Sequence, residues 1–350
     1  MQKTIFVVDD SALNLSLVEK ALEEHYQVIT MSSAAKMFKL LGRITPELIL
    51  LDIKMPHMDG FEALRRLKSS ELHAAIPVIF LTGISSPSTE VEGLEMGAVD
   101  FITKPFVVRV LQNRVKTQLD AADLIRERTT QLENLQNDLV FTLSDIVESR
   151  DSATGGHIMR TSAYVKILTD AMINRGVYAA EIRAQNSAAL ISSARLHDIG
   201  KISIPDAILN KLGSLTKEEF EMVKAHTLVG EQIIDRIIAR TGNAALLHNA
   251  KLFAGCHHER WDGSGYPHGL KETEIPIQGR IMAVADVYDA LLSDRRYKKN
   301  YSENEVCALI ADGAGKLFDP QIAEVFFEIQ DQVNEARQNH ANKGINPVLG

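Results

Sequence analysis

The sequence predicts a doubly wound α/β domain with a parallel sheet, joined by a long helix to an all-α domain. Three observations carry this. In the first third, short apolar runs without alternation are spaced by amphipathic helical stretches, the pattern of a parallel sheet covered on both faces. Residues 106–145 contain neither Pro nor Gly. Beyond them strand patterns nearly vanish, while helical periodicity continues to about residue 330. A chain of 350 residues is long for one core and comfortable for two domains. We place the first domain at 1–118, a helical linker at 119–140, the second domain at 141–330 and a disordered tail at 331–350, where little is apolar enough to bury.

The formal net charge of -8 argues against broad attraction to DNA or a membrane surface, while leaving room for a local basic pocket for a nucleotide. No helix-turn-helix pattern or basic recognition stripe follows residue 120, so no DNA partner is expected. With no apolar stretch of about 18 residues and no signal-peptide pattern, we expect no membrane insertion and a cytoplasmic location. Cys256 and Cys307 are too few for a disulfide framework; Cys256, although beside two histidines, reads as a small buried apolar residue.

In the first domain the strand TIFVVDD ends in Asp9 and Asp10, and ELILLDIKMP reaches Asp52. IPVIFLTG ends in Thr82 and Gly83, and VDFITKP delivers Lys104 and Pro105. Sites in such a sheet lie at the carboxyl ends of the strands, where these residues fall. Converging carboxylates repel unless a cation joins them, and a hard divalent ion such as Mg2+ suits them. Asp52 then becomes a nucleophile for a phosphoryl group, with Mg2+ and Lys104 offsetting its charge and Thr82 donating a hydrogen bond. One acidic strand end is commonplace, but five polar residues in this order are not.

The DD pair, LDIKMPHMDG, LTG and ITKPF resemble the receiver domain of two-component response regulators. The resemblance implies Asp52 as phosphoacceptor, Asp9 and Asp10 as Mg2+ ligands, Thr82 and Lys104 as transmitters, and Phe101 as the switch aromatic. It also implies a cis Lys104–Pro105 bond and a cognate sensor histidine kinase as partner. Gly83 departs from the family, which more usually has Ala there.

The connector carries Leu111, Val115, Leu119 and Ala122, then Ile125, Leu132, Leu135 and Leu139, at helical spacing. We read it as the last helix of the first domain running on into a short, imperfect coiled coil that forms a parallel homodimer.

In the second domain, His197 and Asp198 follow an apolar helical run, with Lys201 three residues on. His226 lies on a helix, His257 and His258 are adjacent, and Asp286 interrupts the apolar helix IMAVADVYDALL. A lone His on an apolar face is usually a core residue, and a lone Asp in an apolar helix is costly to bury. Four His and two Asp in such positions are better explained as metal ligands. Asp289, on the same face as Asp286, reads as a cap or a partner of nearby backbone. Six ligands exceed one four-coordinate ion, so we expect two ions bridged by Asp198. His197 and Asp286 complete one; His226, His257 and His258 serve the other. Imidazole plus carboxylate suits Fe or Mn, and Zn less so. Two such ions about 3.5–4 Å apart can share a hydroxide and hold phosphoryl oxygens during hydrolysis of a phosphoester. Lys201, and Arg295 with Lys298, would meet phosphates; the turn-rich HERWDGSGYPHGL offers Trp261 and Tyr266 as stacking faces.

DSATGGHIMR, HDIGKISIP, His226, HHERWDGSGYPHGL, IPIQGRIMAVADVYDALLSDRRY and FDP together resemble the HD-GYP subgroup of HD phosphohydrolases. Members hydrolyse cyclic di-GMP to linear pGpG, and often on to GMP, with non-haem iron or manganese. By the resemblance, His197, Asp198, His226, His257, His258 and Asp286 match metal ligands, and Lys201, Tyr266, Arg295 and Lys298 match residues around the dinucleotide. Some members hold a third metal through the histidine matching His157 and a glutamate one turn earlier. Here that position is Ala153, which leaves His157 and Glu148 as the candidates, or His157 held by Asp151. Arg296 stands where the family often has Pro.

The expected function is therefore a phosphorylation-regulated, metal-dependent cyclic di-GMP phosphodiesterase, with Asp198 and Lys201 in the catalytic centre. Its rivals are a phosphohydrolase of another cyclic dinucleotide and a catalytically silent cyclic di-GMP sensor that recruits a partner.

Overall fold

The computed structural model describes residues 2–70, 72–83, 87–151, 156–242, 245–293 and 301–341. They form two compact units, Met1–Glu133 and Asn134–Gly350.

The first unit is a five-stranded parallel sheet of order β2-β1-β3-β4-β5. Its strands are β1 (Thr4–Val8), β2 (Gln27–Met31), β3 (Leu48–Asp52), β4 (Val78–Thr82) and β5 (Asp100–Thr103). β3 and β4 are buried along their whole length, which is why their sequences do not alternate. The helices α1 (Ala12–Leu22), α2 (Ala34–Leu41) and α3 (Gly60–Lys68) begin at the side-chain caps Ser11, Ser33 and Asp59. The fourth, α4, spans Pro87–Glu95. β2 is a strand the sequence reading missed. It is an edge strand, exposed at Gln27 and only half-buried at Val28–Thr30, so it lacks the continuous apolar run of its neighbours.

Helix α5 is continuous over Val108–Ser149. Leu111, Val115 and Leu119 are buried against the sheet, and Val140 and Val147 are buried in the second unit. Between them Ile125, Leu132, Leu135 and Leu139 are all more than half exposed, with Ile146 continuing the seven-residue step.

The second unit is all-helical: α6 (His157–Arg175), α7 (Ala179–Ala184), α8 (Ser187–Ser193), α9 (Asp206–Leu209), α10 (Lys217–Lys224), α11 (His226–Thr241), α12 (Ala245–Cys256), α13 (Ile277–Leu292), α14 (Glu303–Gly313) and α15 (Pro320–Ala341). Twelve of the sixteen residues of α13 are buried, so this helix is the axis of the core, with α6 and α15 packed on it. Side chains such as Leu168, Val284 and Phe326, at 0–1 % exposure, each contribute about 1.5–3 kcal/mol by leaving water. Ala225 separates α10 from α11, and 3-10 turns at Ala194–Leu196 and Ile199–Ser203 follow α8. The expected disordered tail is corrected over 331–341, which completes α15. Val333 there is fully buried and Arg337 donates to the Leu292 carbonyl at 3.1 Å, contacts that a sparse apolar content concealed. The remainder of that stretch lies outside the described residues.

Candidate metal centre and phosphoacceptor site

In the first unit the parallel register brings the ends of β1, β3, β4 and β5 together. Ligand oxygens of Asp9, Asp10 and Asp52 lie within 4.8 Å of one another. Asp9 and Asp52 are buried, whereas Asp10 is exposed at the rim. The Lys104 ammonium bridges them, 2.7 Å from Asp9 Oδ2 and 2.8 Å from Asp52 Oδ1. Asn14 Nδ2 and the Ser11 N–H donate to Asp9, which anchors it to the start of α1. Burial raises the Asp52 carboxyl pKa above the ordinary aspartate value, although Lys104 opposes that shift. Thr82 is buried at the end of β4, and Lys104–Pro105 is cis. The Phe101 ring is buried, its centroid 5.4 Å from that of Phe80.

In the second unit the residues of HDIGK are placed by close backbone contact. A Cβ on Gly200 would sit 1.9 Å from the His226 carbonyl oxygen and 2.6 Å from the Gly230 nitrogen. Only glycine lets this turn press onto the start of α11, and that contact carries Asp198 to His226. Asp198 Oδ1 lies 3.4 Å from His226 Nε2 and 3.7 Å from His257 Nε2, and Oδ2 lies 3.4 Å from His197 Nε2. Lys201 Nζ is 2.7 Å from Asp198 Oδ2 and 3.5 Å from Asp151. Burial disfavours the Asp198 carboxylate, but the Lys201 ammonium beside it outweighs that and holds the pKa well below the usual range.

Each ring is oriented from behind. Beside His197 Nδ1 is the Ala194 carbonyl at 3.0 Å, beside His226 Nδ1 that of Val223 at 2.5 Å, and beside His257 Nδ1 that of Phe253 at 2.9 Å. A carbonyl only accepts, so these Nδ1 atoms carry the protons and their Nε2 lone pairs face inward. His226 Nε2 and His257 Nε2 then stand 3.2 Å apart, lone pair against lone pair, and buried His197 Nε2 has no hydrogen-bond partner. Facing lone pairs repel unless a cation lies between or beside them, so the donor set fits metal ions. Protonation is not the alternative for the pair at 257–258. Burial pushes the His257 pKa well down and that of His258 down to about 4, with neighbouring imidazoles adding to the shift at both.

Two trios have ligand atoms within 4.8 Å of one another: His226, His257 and His258, and His157, His197 and Asp198. The first is the expected group. In the second, His157 stands where Asp286 was expected. Asp286 lies next to it, its Oδ1 3.3 Å from His157 Nε2. Burial opposes the charge on Asp286 as well, but His157 holds its pKa far down.

Asp289 does not act as a backbone cap. Fully buried, it accepts from His157 Nδ1 at 2.7 Å, Arg160 Nε at 2.7 Å and the Tyr164 hydroxyl at 3.1 Å. His157 is therefore held by Asp289 rather than Asp151. Burial would lower the His157 pKa, but Asp286 and Asp289 prevail and raise it to about 10. Glu148 comes next to His157, yet its two oxygens accept the backbone N–H groups of His157 at 2.6 Å and Ile158 at 3.4 Å. Cys256 is buried, and its thiol pKa is pushed up to about 12, as expected of an apolar position.

The loop after His258 folds back onto the first trio. The Tyr266 ring lies over His258 with centroids 4.9 Å apart, and Lys224 Nζ is 5.5 Å from the Tyr266 centroid. A Cβ on Gly265 would fall 2.3 Å from the Arg260 nitrogen, which is why glycine precedes the tyrosine. Sequence reasoning missed Glu259, a buried carboxylate accepting the N–H groups of His268, Gly269 and Leu270 at 2.7, 3.1 and 3.1 Å. A carboxylate beginning a glycine-rich loop was the available signal. Glu259→Ala is expected to strand these donors, each at about 1–3 kcal/mol. Its KM should rise more than its kcat falls, with Glu259→Gln recovering part of the loss in steady-state assays. Arg295, Arg296 and Lys298 lie outside the described residues, as does Ala153.

The chain matches the response regulator receiver domain family over residues 5–116 and the HD domain family over residues 142–322. A probable cyclic di-GMP phosphodiesterase of Vibrio cholerae is 38 % identical over 98 % of this chain and 81 % of its own length. A cyclic di-GMP phosphodiesterase of Thermotoga maritima is 32 % identical over 95 % of this chain and 92 % of its own. A 3'3'-cGAMP-specific phosphodiesterase of Vibrio cholerae is 37 % identical over 57 % of this chain and 36 % of its own. Among the described residues, no helix is long and apolar enough to cross a membrane. The chain belongs to the HD domain family: an N-terminal response-regulator receiver domain is fused to an HD-superfamily hydrolase domain resembling the HD-GYP phosphodiesterases.

Proposed function

We propose that this chain is a phosphorylation-regulated cytoplasmic phosphodiesterase that hydrolyses cyclic di-GMP to linear pGpG, with GMP as the alternative end product. The observation that carries this reading is the buried cluster of inward-facing Nε2 atoms around Asp198, in a chain whose relatives of similar length include cyclic di-GMP phosphodiesterases. His197, Asp198 and Asp286, with His157 beside them, would hold one divalent ion and His226, His257 and His258 another, Fe or Mn in each case. Bound there, such ions supply Lewis-acid activation of water and of phosphoryl oxygens. The chain's own groups do the rest. Asp198 joins the two trios, Lys201 presents an ammonium to a non-bridging phosphate oxygen, and Tyr266 offers a stacking face to a guanine. Arg295 and Lys298 are assigned to the second phosphate. A third ion at His157 would draw on Glu148 only at the expense of the α6 cap.

Upstream, Asp52 is assigned as phosphoacceptor for a sensor histidine kinase, with Mg2+ held by Asp9, Asp10 and Asp52. Thr82, Lys104 and Phe101 are assigned to respond. The exposed residues Ile125, Leu132, Leu139 and Ile146 recur every seven positions, which favours a parallel two-stranded pairing of α5 with a second copy of the chain.

Competition tests the substrate. With metal-loaded protein and equimolar cyclic di-GMP and 3'3'-cGAMP, cyclic di-GMP should disappear first and pGpG should appear. Preferential loss of the mixed dinucleotide would reassign the substrate, and tight binding without turnover would make the chain a sensor. Regulation is tested separately. Acyl-phosphate-treated wild type and Asp52→Ala should differ in rate or oligomer, and identical behaviour in both would remove the coupling.

A further inference from the structure

The end of α5 grips the candidate metal centre at three points. Glu148 caps α6, which starts with His157, by accepting two backbone N–H groups. Asp151 stands 3.5 Å from Lys201. Between them Arg150 reaches across the HDIGKISIP segment. Its Nη1 donates to the Ile202 carbonyl at 2.8 Å, and its Nη2 donates to the Ile204 carbonyl at 3.0 Å and to Asp206 Oδ1 at 2.8 Å. Asn210 Nδ2 donates in return to the Arg150 carbonyl at 2.9 Å.

We infer that Arg150 is a positioning residue for hydrolysis, fixing the segment that carries Asp198 and Lys201 to the helix arriving from the receiver domain. The Arg150–Asp206 ion pair alone would not carry this. Asp206 is 71 % exposed, and an exposed pair contributes about 0–1 kcal/mol. The weight lies on the two carbonyl bonds. Ile202 and Ile204 flank the end of the 3-10 turn, in which the Lys201 N–H donates to the Asp198 carbonyl at 2.9 Å and the Ile204 N–H to the Lys201 carbonyl at 3.0 Å. Pinning those carbonyls holds the turn against α5. The planar fork of Arg reaches both carbonyls and Asp206 at once, whereas a single ammonium has no such fixed geometry. Any shift of α5 along its axis would therefore pull on the turn bearing Asp198 and Lys201. Glu148 would carry the same shift to His157.

This inference rests on the hydrolase reading, so its test has a readout that does not need the natural substrate. Full-length wild type, Arg150→Ala and Arg150→Lys are loaded with Mn2+. They are compared by metal content, hydrolysis of bis(p-nitrophenyl) phosphate and hydrogen exchange of the amides at 198–206. Arg150→Ala should keep its metal and KM, lose about tenfold in kcat, and exchange faster at Lys201 and Ile204. It should also abolish the rate difference between Asp52→Ala and acyl-phosphate-treated protein, with Arg150→Lys restoring only part. Unchanged kcat and exchange in Arg150→Ala overturn the inference. If Arg150→Ala fails to fold, Arg150→Lys, whose single ammonium cannot span both carbonyls, is read alone: it should give a smaller loss in kcat and faster exchange at Lys201 and Ile204, and no change in either also overturns the inference. A wild type inert toward cyclic di-GMP sinks the substrate reading alone, because the exchange comparison still reports on the turn.

Discussion

Asp198→Asn is expected to strip the metal centre and lower hydrolysis by about a thousandfold or more. The substitution keeps the side chain's volume and removes its charge. Asp198 lies within 3.4–3.7 Å of the Nε2 atoms of His197, His226 and His257, drawn from both trios, so it is the group common to the two. A neutral amide there removes a ligand charge and presents an NH2 to lone pairs or cations. Lys201, whose pKa its acidic neighbours raise against the effect of burial, would lose its 2.7 Å partner as well. Elemental analysis of the purified variant beside initial rates checks this. A variant that retains both metal and a tenth of the wild-type rate would mean that Asp198 does not join the two groups.

Asp289→Ala should have the largest effect on stability. Asp289 is 1 % exposed and gathers His157, Arg160 and Tyr164 onto one carboxylate. Burial opposes its charge, yet His157 and Arg160 hold its pKa down to about 2. Removing it leaves Arg160, 12 % exposed at its side chain, without its main counter-charge at a cost of about 3–5 kcal/mol. For a unit of this size that corresponds to a fall in unfolding midpoint on the order of 10 °C. Asp289→Asn, which keeps the shape, should fall nearly as far because the charge is what matters. A midpoint within two degrees of wild type for both variants, read by a thermal scan, would show that the cluster is not load-sharing.

The parts of this molecule legible in its sequence are those where chemistry or periodicity is local. The buried strands β3 and β4 advertise themselves by uninterrupted apolar runs, and the candidate phosphoacceptor residues sit at strand ends where the parallel register must bring them together. The six candidate ligands stand out because His and Asp are out of place on apolar helices. What escaped depends on contacts between distant residues. β2 is half-exposed and carries no clear pattern. Asp289 looks like a local cap until α6 is packed on α13, 132 residues from His157 in sequence. Arg150 bonds to the backbone carbonyls of Ile202 and Ile204, which leave no side-chain signature in the sequence. The helix at 331–341 is anchored by Val333 and a few polar contacts rather than by a dense apolar stripe.

If the inward-facing imidazoles form a metal centre, the full chain should turn over a cyclic dinucleotide only while that centre is loaded. The most direct measurement purifies the full chain without oxygen, counts bound Fe and Mn per chain, and follows cyclic di-GMP before chelation, after it, and after the metal is returned. The expected result is two ions per chain, with conversion to pGpG that stops on chelation and resumes on re-addition. A folded chain that binds neither metal, or one that is fully loaded and leaves the dinucleotide intact, would contradict it.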